Sequence, residues 1–198
     1  MASKPPKPEF DVETFDVACK SGRTFTLHVP NGKTQVNADR AAETPLAMMS
    51  YRVAAAILAI DHVKVAPFAN DLDLSSRLQD MKASELDRCL SELGKRYSEA
   101  IQRKFELREL NGLEQARADR AAGDTIAIAA FRAVASVSSI DGQSVKPFTK
   151  DADIEVRLGE MSGPELNTIT REYGENFANL SEEELGNGFA PEASPPTS

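Results

Sequence analysis

The sequence predicts an α+β fold, mostly α, in two tandem homologous units. Each unit is a short strand or hairpin followed by about four short helices. Three observations predict this. The chain repeats itself at an offset of 80 residues, with 28 identities over the 76 aligned positions that begin at Arg23 and end at Ser98. Ordinary residue frequencies give only about four to six by chance. Each half opens on alternating apolar and polar residues and continues with helix-period apolar residues. Strands followed by helices favour α+β over a parallel sheet. A tandem duplication explains the repeat, and the two halves are expected to share a fold.

The elements follow in order. Phe15-Asp-Val-Ala-Cys19 and Thr24-Phe-Thr-Leu-His-Val29 flank a Ser-Gly turn and predict a β-hairpin. The second unit keeps the outgoing strand, Lys104 to Leu110, while Lys95 to Gln102 reads as a helix end. Asn31-Gly32 and Asn111-Gly112 turn the chain, and Asn111 with Glu114 forms a capping box. A short helix through Ala38-Asp-Arg-Ala-Ala42, repeated at 118–122, comes next. Thr44-Pro45 supplies an N-cap and a first-turn proline for a helix from Leu46 to about Ile60. Asp124 caps its counterpart, which runs to about Ser139, and Asp141-Gly142 is a turn. Val63 to Phe68 and Ser144 to Phe148 are extended arms ending in Pro-Phe. Helices near Asp71–Met81 and Asp151–Met161 precede the last pair, from Lys82 to Tyr97 and from Ser162 to Phe177.

The domain reading is therefore a Lys/Pro-rich flexible tail at 1–10, unit 1 at 11–100, unit 2 at 101–180 and an acidic, Pro-rich tail at 181–198, with a short helix start at Ser181–Leu185. Of the 198 residues, 41% are hydrophobic and 27% charged, enough apolar residue for a core. Net charge is −8, and half of it falls in the last twenty residues. That argues against nucleic acid as a partner, which needs a basic stripe. The longest apolar run, from Val53 to Ile60, is too short to span a bilayer. The N-terminus lacks the apolar stretch of a signal peptide. Two cysteines, Cys19 and Cys89, make neither a disulfide framework nor a zinc site, and they read as inert thiols of a reduced, intracellular protein.

Nothing in the pattern supports an enzyme, a cofactor or a metal. His28 becomes Arg108 in the second unit and His62 becomes Gly142. Asp71-x-Asp73 and Asp151-x-Asp153 lack the other ligands of a calcium loop and read as helix-capping acids. Asp61 and Asp141, near Arg52 and Arg132, read as structural hydrogen-bond acceptors, and the pair Asp141/Asp151 has no histidine or phosphate loop beside it. Val65-x-Pro67-Phe68 and Val145-x-Pro147-Phe148 are the candidate partner-binding residues. Each Phe either packs on its own helices or docks, on its arm, against a neighbouring subunit. Positions identical in both halves are taken to serve the fold, and differing positions to serve what each half does separately.

Phe105-Glu-Leu-Arg-Glu-Leu-Asn-Gly-Leu-Glu-Gln-Ala-Arg-Ala-Asp119, then Phe131-Arg132 on an apolar helix, then Ser139-Ile-Asp-Gly142, resembles small tail-assembly chaperones and baseplate-associated proteins of tailed bacteriophages. Leu27-His-Val-Pro-Asn-Gly32 and Asp61-His62 carry a looser form of the pattern. The resemblance implies a non-enzymatic protein that binds other tail or baseplate subunits: tail tube, tape measure or hub. It would act in the host cytoplasm during assembly or in the virion tail. The reading from another class is an intracellular adaptor or regulatory binding module with no virion role.

Overall fold

The structure, a computed structural model, describes residues 14–100 and 103–177. The tails expected at 1–10 and 181–198 lie outside the described residues. Unit 1 comprises β1 (Thr14–Ala18), β2 (Thr24–His28), α1 (Gly32–Ala42), α2 (Pro45–Ala56), β3 (Ile57–Ile60), β4 (Val63–Lys64), α3 (Asp71–Gln79) and α4 (Ala83–Glu99). Unit 2 runs in the same order from the outgoing strand onward: β5 (Phe105–Leu107), α5 (Gly112–Ala122), α6 (Ile128–Ser136), β6 (Val137–Ile140), β7 (Gln143–Ser144), α7 (Asp151–Gly159) and α8 (Gly163–Phe177). The architecture is α+β and mostly helical.

Each unit has one small antiparallel sheet, ordered β1-β2-β3-β4 in the first and β5-β6-β7 in the second. The hairpin register pairs Phe15 with Leu27 and Val17 with Phe25. Val17, Phe25 and Leu27 are buried with Val53, Ile57, Cys89, Leu93 and Tyr97. Helices expected to reach Ile60 and Ser139 instead end at Ala56 and Ser136. The physical reason is pairing: the residues after each helix turn extended and join β2 and β5, Phe25 opposite Ile60 and Phe105 opposite Ile140. The expected strand from Lys104 to Leu110 is shorter, three residues, because β6 offers it a partner only there.

The turns after β3 and β6 have positive φ at both central residues: Asp61 and His62 at 50° and 66°, Asp141 and Gly142 at 50° and 75°. Such turns match the twist of the strands they join. Asp61 and Asp141 complete them, accepting from the Thr24 and Lys104 backbone N–H at 2.8 and 2.9 Å. The caps expected at Asn111 and at the acidic helix starts form, but the Thr44 side chain makes no capping hydrogen bond, Pro45 alone marking that start, and Asp124 accepts from the Ala127 N–H in the turn before α6 rather than at its first residue. Asn31 accepts from the Thr34 N–H, Asn111 and Glu114 form a reciprocal capping box, and Asp73 and Asp153 accept from the N–H groups of Asn70 and Lys150.

Two ion pairs recur in both units. Arg52 grips Asp39 through Nε and Nη2 at 2.6 and 2.8 Å, tying α2 to α1, and Arg132 grips Asp119 with the same geometry. Arg23 meets Glu85 at 3.2 Å and Arg103 meets Glu165 at 2.8 Å, anchoring a strand to the last helix of each unit. Burial pushes the Glu85 carboxyl up. The Ser21 hydroxyl, the Lys82 N–H and the Arg23 charge more than offset it, so its pKa lies below the usual carboxylate value. Glu165 is lowered in the same way, burial being outweighed by Arg103 and the Ser162 N–H.

The units meet through unlike surfaces. The start of α1 in unit 1 sits on the α7–α8 turn of unit 2. The Gly32 N–H donates to the Met161 carbonyl at 2.8 Å, and the Gly163 N–H donates to the Pro30 carbonyl at 2.8 Å. Gln35 donates to Asn167 at 2.7 Å and accepts from the Tyr97 hydroxyl at 3.0 Å. Lys33 pairs with Glu155 at 3.0 Å. Val36 enters the core of unit 2 beside Ile154, Leu158 and Leu166. The contact needs bare glycines: a Cβ on Gly163 would meet Gln35 Oε1, Tyr97 Oη at 2.7 Å and Pro30 O at 3.1 Å, and one on Gly32 would lie 2.8 Å from Leu158 O. Gly112, the counterpart of Gly32, has nothing within 4 Å.

Candidate functional site

The junction changes what unit 1 does with a residue both units share. In unit 2, Arg120 of α5 reaches the start of α7 and holds Asp151 with two hydrogen bonds, at 2.8 and 2.9 Å. Its counterpart Arg40 turns the other way. It donates to Asp124 at 2.6 Å and to the Ala122 carbonyl, and its guanidinium lies 5.7 Å from the Phe131 ring centre, all in unit 2. Asp71, the counterpart of Asp151, therefore has no ion-pair partner among the described residues. The side-to-side tie between the first and third helices is made in unit 2 and missing in unit 1.

A cleft of about 570 Å³ lies along that line in unit 1. Its apolar lining is Ala55, Ile57, Val65, Pro67 and Phe68. Its polar rim is Asn31, Asn37, Asn70, Asp71, Lys33 and Arg40. The candidate residues of unit 1 thus come together on one wall: Val65 and Phe68 half-buried, Pro67 exposed. Those of unit 2 are placed differently. Val145 is half-buried and Pro147 exposed, but Phe148 is 7% exposed and belongs to the core with Phe131, Ile154 and Leu158.

The arm is tied to the helix before it at one point. Arg77 donates to the Ala54 carbonyl at 2.7 Å and to the Ala66 carbonyl, so its guanidinium bridges the end of α2 to the arm. Arg157 makes the same two contacts in unit 2, to Val134 and Lys146. Both guanidinium pKa values are lowered, foremost by burial. An arginine spent on backbone carbonyls fixes chain path rather than binding an anion.

The charges around the cleft bear on what it could hold. Lys33 and Arg40 are already paired with carboxylates, and Arg77 with carbonyls. The free charge is the Asp71 carboxylate. His28, also in the lining, is held below its ordinary pKa by burial, against a hydrogen bond to the Val29 carbonyl. Asn31, Asn37 and Asn70 use their carbonyl oxygens within unit 1, leaving their amide N–H groups to donate. This combination suits an extended peptide: carboxamides for its backbone, an apolar floor for one side chain, a carboxylate for a basic one.

Cys19 and Cys89 lie together under the hairpin, away from the cleft. Burial, foremost, pushes the Cys89 thiol up to about 12. Among the described residues no group of three or more His, Cys, Asp or Glu is placed to hold a metal ion, and no helix is long and apolar enough to cross a membrane. Sequence reasoning found the arm but missed Arg40 and Asp71. They are identical to Arg120 and Asp151 in the other unit, and only the docking of the units makes their roles differ. No family model matches the chain, and neither a curated protein nor a solved structure matches it.

Proposed function

We propose that the chain is a non-enzymatic bacteriophage tail protein, a baseplate or tail component or a tail assembly chaperone, that acts by holding a segment of another tail protein in the unit 1 cleft. The observation that carries the reading is the diversion of Arg40 into unit 2, which leaves a peptide-sized cleft walled by Val65, Pro67 and Phe68 and a free Asp71. The segment it fits is extended, with an apolar residue for the Phe68 wall and a Lys or Arg for Asp71. The virion setting rests on the sequence resemblance alone, carried by residues 105–119 and 139–142.

The test is mass spectrometry of purified particles and of infected cells, with copy number relative to the tail-tube protein. A fixed low copy number in particles identifies a tail component. Abundance in infected cells with absence from particles identifies a chaperone. Co-purification with host proteins and with no tail protein overturns the virion reading in favour of an intracellular adaptor.

A further inference from the structure

Arg40 stands between two carboxylates, one from each unit. It is bonded to Asp124 of unit 2 at 2.6 Å, and it shares the rim of the unit 1 cleft with Asp71. Unit 2 shows what the same arginine does when no acid is offered from another unit: Arg120 takes Asp151 through Nε and Nη2. We propose that Asp71 and Asp124 compete for Arg40, and that Asp124 is the positioning residue that keeps the cleft open. The inference rests on the cleft being the binding site and adds its regulation. With Arg40 on Asp124, the Asp71 carboxylate is left for a basic residue of the bound segment. With Arg40 on Asp71, that charge is spent and the guanidinium lies in the cleft.

Three observations carry it. First, the receiving acid is present only in the unit that faces Arg40. Arg40 and Asp71 have identical counterparts in Arg120 and Asp151, but Asp124 corresponds to Thr44. Capping does not account for the acid. Its Oδ1 accepts from the Ala127 N–H at 2.9 Å, which Ser, Thr or Asn does as well, and it is Oδ2 that meets Arg40. Second, the hold on Arg40 is a sum of modest contacts. Beside Asp124 they are the Ala122 carbonyl, Asn37 Oδ1 at 3.3 Å and the Phe131 ring. The ion pair is exposed by 32% and 37%, and a pair so open to water is weak. Removing one charge is therefore enough to hand the arginine to the other acid. Third, the alternative pairing is built into the fold, since the same two residue types at the same two positions close it in unit 2. Asp124, Ala122 and Phe131 all belong to unit 2, so the junction sets the state of the cleft. Parting the units frees Arg40 for Asp71. By linkage, a segment that occupies Asp71 leaves Arg40 to Asp124 and tightens the junction.

The experiment follows the Arg40 Nε–H resonance in NMR spectra of the full chain, assigned by its loss in Arg40→Lys. Asp124→Asn keeps an oxygen for the Ala127 N–H and presents an amide N–H to Arg40 in place of the acceptor. Asp124→Thr installs the residue unit 1 carries there and is a second route to the same state. Asp71→Asn is made alone and with each. The expected result is that Asp71→Asn leaves the Arg40 resonance in place in the parent and shifts it in both Asp124 variants. A merely structural loss at position 124 would not make that resonance depend on position 71. In cells making the tail proteins, adducts from a photo-reactive phenylalanine analogue at position 68 should fall about fivefold in the Asp124 variants. A resonance that ignores Asp71 in both Asp124 variants, one that already answers to Asp71→Asn in the parent, or undiminished adducts would each overturn the proposal. Adducts absent from the parent overturn the binding reading alone, and the resonance still decides which acid holds Arg40.

Discussion

Replacing Gly163 by Ala probes the junction between the units directly. The new methyl would lie 2.7 Å from Tyr97 Oη and 3.1 Å from the Pro30 carbonyl, as well as against Gln35 Oε1. Two of those are side-chain ends, but Pro30 O is backbone, and it accepts the Gly163 N–H. Overpacking of this kind costs about 1–3 kcal/mol. Weakening the hydrogen bond adds about 1 kcal/mol. Against this stands the helix preference of Ala over Gly, up to about 1 kcal/mol and smaller at a first helical position. The expected net loss is about 1.5–3 kcal/mol. Gly32→Ala, facing the Leu158 carbonyl at 2.8 Å, falls in the same direction. Gly112→Ala meets nothing and is expected to be neutral or to stabilise by about 0.5 kcal/mol. Urea denaturation of the three variants at one pH measures the difference. Equal stability of Gly32→Ala and Gly112→Ala would refute the docking geometry, because these are one position of the repeat and the junction distinguishes their surroundings.

Other consequences follow from the paired units. Asp39→Asn leaves Arg52 uncompensated at 8% side-chain exposure and should cost about 3–5 kcal/mol. Asp119→Asn acts on a pair exposed by 20% and 32% and should cost about 1 kcal/mol; denaturation of both variants checks the order. His62→Gly relieves a φ of 66° and should raise stability by up to about 1 kcal/mol, read as a higher melting temperature. On acidification, stability should fall in two stages. The His28 pKa is lowered in the fold, so the unfolded chain binds its proton first and stability drops below pH 6.5, the ordinary value. Glu85 and Glu165 are held below their ordinary 4.5, so their contribution is whole above that pH and is lost as pH falls through the lowered values. His28→Gln should remove the upper stage alone in a pH series of melting curves. Cys89, raised to about 12 by burial, should resist iodoacetamide at pH about 8 until the chain unfolds.

The repeat made much of the fold legible. Helix starts at Asn31, Asn111, Asp71 and Asp151 were marked by capping chemistry, which is local, and the hairpin by alternation. Ile57–Ile60 and Val137–Ile140 continue an apolar helical run, and only pairing with β2 and β5 makes them strands. Nothing near them in sequence signals that partner. The same limit applies to the site. The pattern offers Phe68 and Phe148 alike as partner-binding candidates, and comparing the halves marks Arg40 and Asp71 as fold residues because Arg120 and Asp151 match them. Their divergence arises from an asymmetric docking, in which identical side chains meet different neighbours. Gly32 and Gly112 show it most simply: one sequence position, one buried and one open.

The proposed function requires that the unit 1 cleft, and not its unit 2 counterpart, receives a partner. A photo-crosslinking phenylalanine analogue placed at position 68, and separately at 148, tests it in cells making the tail proteins. The expected result is adducts to a tail protein from position 68, lost when Asp71→Lys is added, and none from position 148. Equal adducts from both positions, or adducts from 148 alone, would contradict it.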